Sequence, residues 1–141
     1  MGLSVAAMML DIDYFKKYND KLGHLEGDQR LRELGEIIGS YAGELGLLAA
    51  RYGGEEFALL LADCPPEEAR RSGEDLLARI AARKIPGPEE GAVLTVSLGV
   101  AVQLPRPGDS LEKLLSAADQ ALYRSKEEGR DRMTLLEMDQ T

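Results

Sequence analysis

The chain has 141 residues, enough for one domain that buries roughly two-thirds of its unfolded surface without a disulfide or metal staple. With 44% hydrophobic and 30% charged residues it is too apolar for a disordered segment. Its 17 Lys+Arg against 25 Asp+Glu leave a net charge of −8, and without any basic run that balance argues against nucleic acid or an anionic membrane as partner.

Cys64 and His24 are single, which excludes an internal disulfide, a His/Cys zinc centre and a conventional nucleophilic triad. The apolar start is far shorter than the ~18–20 residues that span a bilayer and lacks a basic leader. It reads as a buried strand over residues 4–12 ending on Asp11-Ile-Asp13, and the compartment expected is the cytoplasm. Met1-Gly2 has the form of a myristoylation start, but Ala6 stands where Ser or Thr is wanted.

Residues 14–22 predict a short helix stopped at Gly23. Residues 27–41 predict a longer one, with Leu31, Leu34, Ile38 and Tyr41 on one face. Short apolar runs at 47–52 and 56–61 flank Gly53-Gly54, a hairpin signal. A third helix is expected over 65–83, with Pro66 and Glu67 in its first turn and Leu76, Leu77 and Ile80 buried. Residues 85–91 carry Pro and Gly pairs and read as a loop; 93–102 is the most strand-like segment, and 104–109 is another loop. Ser110 caps a fourth helix over 110–128, with Leu111, Leu114, Leu115, Ala118 and Leu122 inward and Gly129 at its end. Residues 131–138 read as a final edge strand. The fold class is α/β or α+β, one sheet with about four helices packed on it.

Three polar clusters are candidates for chemistry, and each also has a purely structural reading. Asp11 and Asp13 suit a helix cap and solvated turn, or a magnesium site beside helix-start amides that face a phosphate. Arg51-Tyr-Gly-Gly-Glu-Glu-Phe57 suits a turn needing positive φ. It equally suits paired carboxylates that bind metal and take a proton from a hydroxyl, beside glycines that admit a ligand. Lys126-Glu-Glu-Gly-Arg130 suits a helix C-terminus complementing its dipole, or a phosphate clamp. Asn19 and Asp28 form a weaker fourth pair.

Taken together, these residues resemble the GGDEF family, the diguanylate cyclase domain. The matching strings are Leu10-Asp-Ile-Asp-Tyr-Phe-Lys-Lys-Tyr-Asn-Asp20, Gly23-His-Leu-Glu-Gly-Asp28, Arg51 to Phe57 in the form Gly-Gly-Glu-Glu-Phe, Leu94-Thr-Val-Ser-Leu-Gly-Val-Ala101, and 117–130. They occur in the family's order along nearly the whole chain. The resemblance implies a mixed, largely antiparallel sheet wrapped by helices, like the palm of nucleotidyl cyclases and polymerases. It also implies condensation of two GTP into cyclic di-GMP with release of two pyrophosphates.

Carried over by residue, the resemblance assigns Asp11, the carbonyl of Ile12 and Glu55 to magnesium, or to manganese in its place. Glu55 and Glu56 are the groups expected to assist loss of the ribose 3′-hydroxyl proton. The amides of Tyr14 and Phe15, with Lys16, Lys126 and Arg130, would hold phosphates; Gly53 and Gly54 would let the nucleotide approach. Asn19 and Asp28 would read guanine, since a carboxylate accepts from N1–H and the exocyclic amine while adenine offers neither donor there. His24 lies between these two readers and is expected to shape the pocket.

One nucleotide per domain implies a catalytic homodimer with two-fold symmetry. The alternative from another class is a GTP- or cyclic di-GMP-binding regulatory domain without turnover; a templated polymerase palm is disfavoured by the −8 charge. Two departures from the family pattern are visible. Glu44-Leu-Gly-Leu47 stands where members often carry an inhibitory Arg-x-x-Asp site, so product feedback by that route is expected to be weak or absent. Only ten residues precede Asp11, so the single domain over 1–141 reads as shortened at its N-terminus and detached from a sensor or receiver module.

Overall fold

The computed structural model describes residues 4–52 and 54–138; the Met1-Gly2 start and Gly53 lie outside them. Strand β1 (Val5–Ile12) is buried at seven of its eight positions because it lies mid-sheet with helices on both faces. Alternation sends Ala6, Met8, Leu10 and Ile12 into one apolar cluster and Ala7 and Met9 into another.

The other elements are α1 (Phe15–Leu22), α2 (His24–Leu45), β2 (Leu48–Tyr52), β3 (Glu56–Leu61), α3 (Pro66–Ala82), β4 (Val96–Gln103), α4 (Leu111–Glu127) and β5 (Met133–Glu137). The sheet order is β2-β3-β1-β4-β5. Every pairing is antiparallel except β4 with β5, as expected for a mixed, largely antiparallel sheet. Helices α2 and α3 contribute to the cluster on one face, and α4 covers the other.

Three expectations are corrected. The second helix starts at His24, not at residue 27, because Gly23 alone, at φ 92°, makes the break from α1. Gly27 already lies inside the helix, its N–H donating to the Gly23 carbonyl at 3.1 Å. The fourth strand starts at Val96; the preceding residues instead tie to 85–86 through the Pro86–Val93 bridge and the Leu94 N–H on the Ile85 carbonyl at 2.7 Å. Leu111 is not buried: as the first residue of α4 it lines an open cleft with Leu48 and Pro105, and it is 52% exposed. Ser110 does cap α4, accepting from the Lys113 N–H. Glu44, within the segment lacking the Arg-x-x-Asp pattern, pairs with Arg79 of α3 at 2.8 Å.

Helix α4 is held against the sheet at a glycine. A Cβ on Gly99 of β4 would lie 2.1 Å from the Leu122 nitrogen and 2.2 Å from the Ala118 oxygen, so α4 rests directly on the strand. Ser125 Oγ then donates to the Leu98 carbonyl at 2.9 Å, fixing the end of α4 that carries Lys126.

Candidate active site

At the C-terminal end of β1 the register places Asp11 opposite Glu56 on β3 and Ser97 on β4. These three therefore share the α4 face of the sheet. Asp11 is 4% exposed; its Oδ2 is paired with Lys126 Nζ from the last turn of α4, while its Oδ1 is buried without a hydrogen-bond partner. Burial pushes the Asp11 carboxyl above its ordinary range, Lys126 opposes that rise, and Asp13 adds to it.

Glu55, just before β3, lines the same open cleft of about 430 Å³ as Asp11, Lys16, Lys126 and Arg130. Burial raises its carboxyl as well, with the Asp11 charge as the next cause. Two carboxylates lining one cleft, the charge of Asp11 raising Glu55, form an acceptor set for a cation. Among the described residues no group of three His, Cys, Asp or Glu converges as a metal site. Glu56 opens into the neighbouring cleft with Tyr52, Glu112 and Asp119; burial raises its carboxyl too, followed by the Asp119 charge. The hairpin that presents both acids is tied by Arg51, whose Nε donates to the Gly54 carbonyl at 2.9 Å and whose Nη2 donates to the same oxygen.

Helix α1 opens onto this cleft. Tyr14, left-handed at φ 57°, is its N-cap, with no side-chain cap and no acidic residue in the first turn. The first-turn amides, Phe15 among them, thus lack a competing carboxylate, which suits an anion. Lys16 lines the cleft. Arg130 lies over the Tyr14 ring at 4.5 Å and donates Nη1 to the Lys126 carbonyl at 3.2 Å.

The guanine-reading candidates stand apart from the cleft lining. Asn19 is on α1, and His24 and Asp28 are exposed on the first turns of α2. Asn19 Oδ1 is buried without a partner, 1.8 Å from where a Cβ on Gly27 would be, so Gly27 is what admits the amide between the two helices. Sequence reasoning undervalues Asp13, whose carboxylate is enclosed by Thr95, Ser97 and the Asp131 amide. The alternation Thr95-Val-Ser97 at the start of β4 is the available signal, since it places two hydroxyls on one face.

The family model described as "Diguanylate cyclase, GGDEF domain" matches residues 2–132. The chain belongs to the GGDEF family. It is 41% identical to diguanylate cyclase VdcA of Vibrio cholerae over 94% of its own length and 39% of that protein's. It is 36% identical to the response regulator PleD of Caulobacter vibrioides over 92% of its length and 29% of PleD's. The GGDEF chain thus spans well under half the length of these curated relatives. Among solved structures, the GGDEF domain of DgcB from Caulobacter crescentus, in complex with c-di-GMP, superposes with TM-score 0.82 at 34% identity, covering 94% of this chain and 78% of that one. The active GGEEF domain of a Vibrio cholerae diguanylate cyclase gives TM-score 0.80 at 28% identity, covering 97% and 85%. Among the described residues of this GGDEF domain no helix is long and apolar enough to cross a membrane.

Proposed function

We propose that this domain is a diguanylate cyclase: it condenses two GTP into cyclic di-GMP and two pyrophosphates, as a two-fold homodimer coupled to a sensor or receiver module, in the cytoplasm, with no nucleic-acid or membrane contact of its own. The observation that carries this reading is one cleft lined by Asp11 and Glu55 together with Lys16, Lys126 and Arg130, at the uncapped start of α1.

The oxygen set fits magnesium. Asp11 Oδ1 is a buried acceptor lacking a partner, Glu55 lines the same cleft, and hard carboxylate and carbonyl oxygens are what that cation selects; manganese suits the same set. Asp11, the Ile12 carbonyl and Glu55 would hold the ion, which would supply Lewis-acid stabilisation of phosphate charge and ease loss of the hydroxyl proton. In the reaction, the 3′-oxygen of one GTP forms a bond to the α-phosphorus of the other and the bond to pyrophosphate breaks; a second such step closes the ring. Glu55 accepts the 3′-hydroxyl proton, with Glu56 next to it in sequence. The α1 amides of Tyr14 and Phe15, Lys16, Lys126 and Arg130 neutralise the phosphates and the leaving pyrophosphate. Gly54, with Gly53 before it, leaves room at the hairpin for the nucleotide. Asn19 and Asp28 orient guanine, and His24 shapes that edge of the pocket.

Incubation of the purified chain with GTP and magnesium, followed by mass analysis, is expected to show cyclic di-GMP. Glu55→Ala is expected to lower the rate by about a hundredfold or more. Full synthesis by that variant would remove Glu55 from its assigned role. GTP binding without product would favour the regulatory-domain alternative.

A further inference from the structure

Asp13 takes no part in the proposed chemistry, yet its surroundings are more elaborate than a helix start requires. The side chain is 6% exposed. Its Oδ1 accepts from Ser97 Oγ at 2.6 Å; its Oδ2 accepts from Thr95 Oγ1 at 2.7 Å and from the Asp131 amide at 3.0 Å. The first two bonds join the residue after β1 to Thr95 and Ser97 at the start of β4, strands that the sheet already pairs. The third crosses 118 residues of sequence to the turn after α4.

That turn is costly to form. Arg130 and Asp131 are consecutive non-glycine residues at φ 64° and φ 49°, a left-handed conformation in which the Cβ of an L-residue crowds the following carbonyl. Such backbone persists only where its surroundings over-determine it. Here the Arg130 amide donates to the Ser125 carbonyl at 2.9 Å and the Asp131 amide to Asp13. The same turn aims the Arg130 guanidinium over the ring of Tyr14, the residue directly after Asp13, which is itself left-handed at φ 57°. Two strained turns thus interlock, one contributing a buried carboxylate and an aromatic ring, the other an amide and a guanidinium. Arg130 Nε is buried with no hydrogen-bond partner, and Arg130 lines the cleft.

We propose that Asp13 is a positioning residue that, with the Tyr14 ring, holds Arg130 at the cleft for the terminal phosphates of the nucleotide. The inference rests on the reading of Arg130 as a phosphate-binding group. Asp13 reaches substrate only through the 130–131 turn, so its contribution vanishes when Arg130 is absent and is confined to ligands that carry the phosphates Arg130 meets.

The test uses 3′-deoxy-GTP, which lacks the attacking hydroxyl, and 3′-deoxy-GMP, with dissociation constants measured by calorimetry in magnesium. Asp13→Ala is expected to weaken the triphosphate by about tenfold and the monophosphate by less than about twofold, with Arg130→Ala giving the same pattern. Adding Asp13→Ala to Arg130→Ala should change triphosphate affinity by less than about twofold, because the two substitutions remove one interaction. Asp13→Asn, which retains an acceptor for the Asp131 amide, should recover most of the loss. The pair Thr95→Val with Ser97→Ala should lower the unfolding temperature while leaving triphosphate affinity in place. Tyr14→Gly, at an exposed and already left-handed position, tests the same linkage should Asp13→Ala not fold; it too should weaken the triphosphate only when Arg130 is present. Equal weakening of both ligands by Asp13→Ala, or a further tenfold loss in the Arg130→Ala background, would overturn the proposal. So would an Arg130→Ala variant of unchanged affinity. A wild-type chain that binds neither ligand would instead sink the cyclase reading itself.

Discussion

At the residue scale the most exacting fit is between Gly27 and Asn19. A methyl group at Gly27 would stand 1.8 Å from Asn19 Oδ1 and 3.2 Å from Phe15 Cζ, so Gly27→Ala forces the Asn19 amide out of its position between α1 and α2. The same substitution favours helix by about 1 kcal/mol, which offsets part of the strain. The expected outcome is a thermal midpoint close to wild type with 3′-deoxy-GTP affinity lowered by about tenfold, the loss expected when a buried polar reader is displaced. Unchanged affinity, measured by calorimetry beside a thermal melt, would remove Asn19 from guanine recognition. Asn19, Asp28 and the paired acids could be picked out of the sequence because they lie in short strings. Asp13 read as a cap or a magnesium ligand and its partners could not be foreseen, because Thr95, Ser97 and Asp131 are 82, 84 and 118 residues away; local pattern carries no information about such partners.

At the scale of elements, periodicity and turn residues located each helix and strand, and the errors fell at element ends: the apolar run before Val96 pairs with 85–86 instead of extending β4. Gly27 read as a helix start because glycine usually marks a boundary, whereas here its missing side chain makes room for Asn19 within a continuing helix. Leu111 read as core because it continues the apolar face of α4, whereas as the helix's first residue it lines an open cleft and stays half exposed. The parallel pairing of β5 with β4 could not be read either, since a short apolar run shows its period but not its neighbour. Gly99 reverses the usual meaning of glycine in a strand: it is required by the helix above it. With a Cβ there 2.1 Å and 2.2 Å from backbone atoms of Leu122 and Ala118, no rotamer change relieves the clash and α4 must lift. Gly99→Ala is therefore expected to destabilise the domain by about 1–3 kcal/mol or more, read as a lower denaturant midpoint at unchanged slope. Because α4 also carries Lys126 against Asp11, cyclic di-GMP synthesis should fall even at temperatures where the variant is folded. A midpoint equal to wild type would mean that the α4 and β4 contact yields without cost.

At the scale of the whole molecule, one domain presents one cleft in which Asp11 and Glu55 meet Lys16, Lys126 and Arg130. The proposed reaction needs each GTP to act both as the donor of a 3′-oxygen and as the phosphorus centre attacked. Two copies must therefore face each other with antiparallel nucleotides, and the rate depends on the encounter as much as on the residues within one cleft. The net charge of −8 opposes that encounter, and salt screens the repulsion with a Debye length of about 8 Å at physiological ionic strength. Synthesis per chain is expected to fall with dilution and, at fixed low protein concentration, to rise with moderate salt. GTP binding per chain should remain constant across the same series, because each cleft binds its nucleotide alone. Initial rates measured across a dilution series that extends below any dimer constant decide between one copy and two: rates per chain that stay constant throughout would mean that a single copy completes the reaction, and the two-fold mechanism would fall.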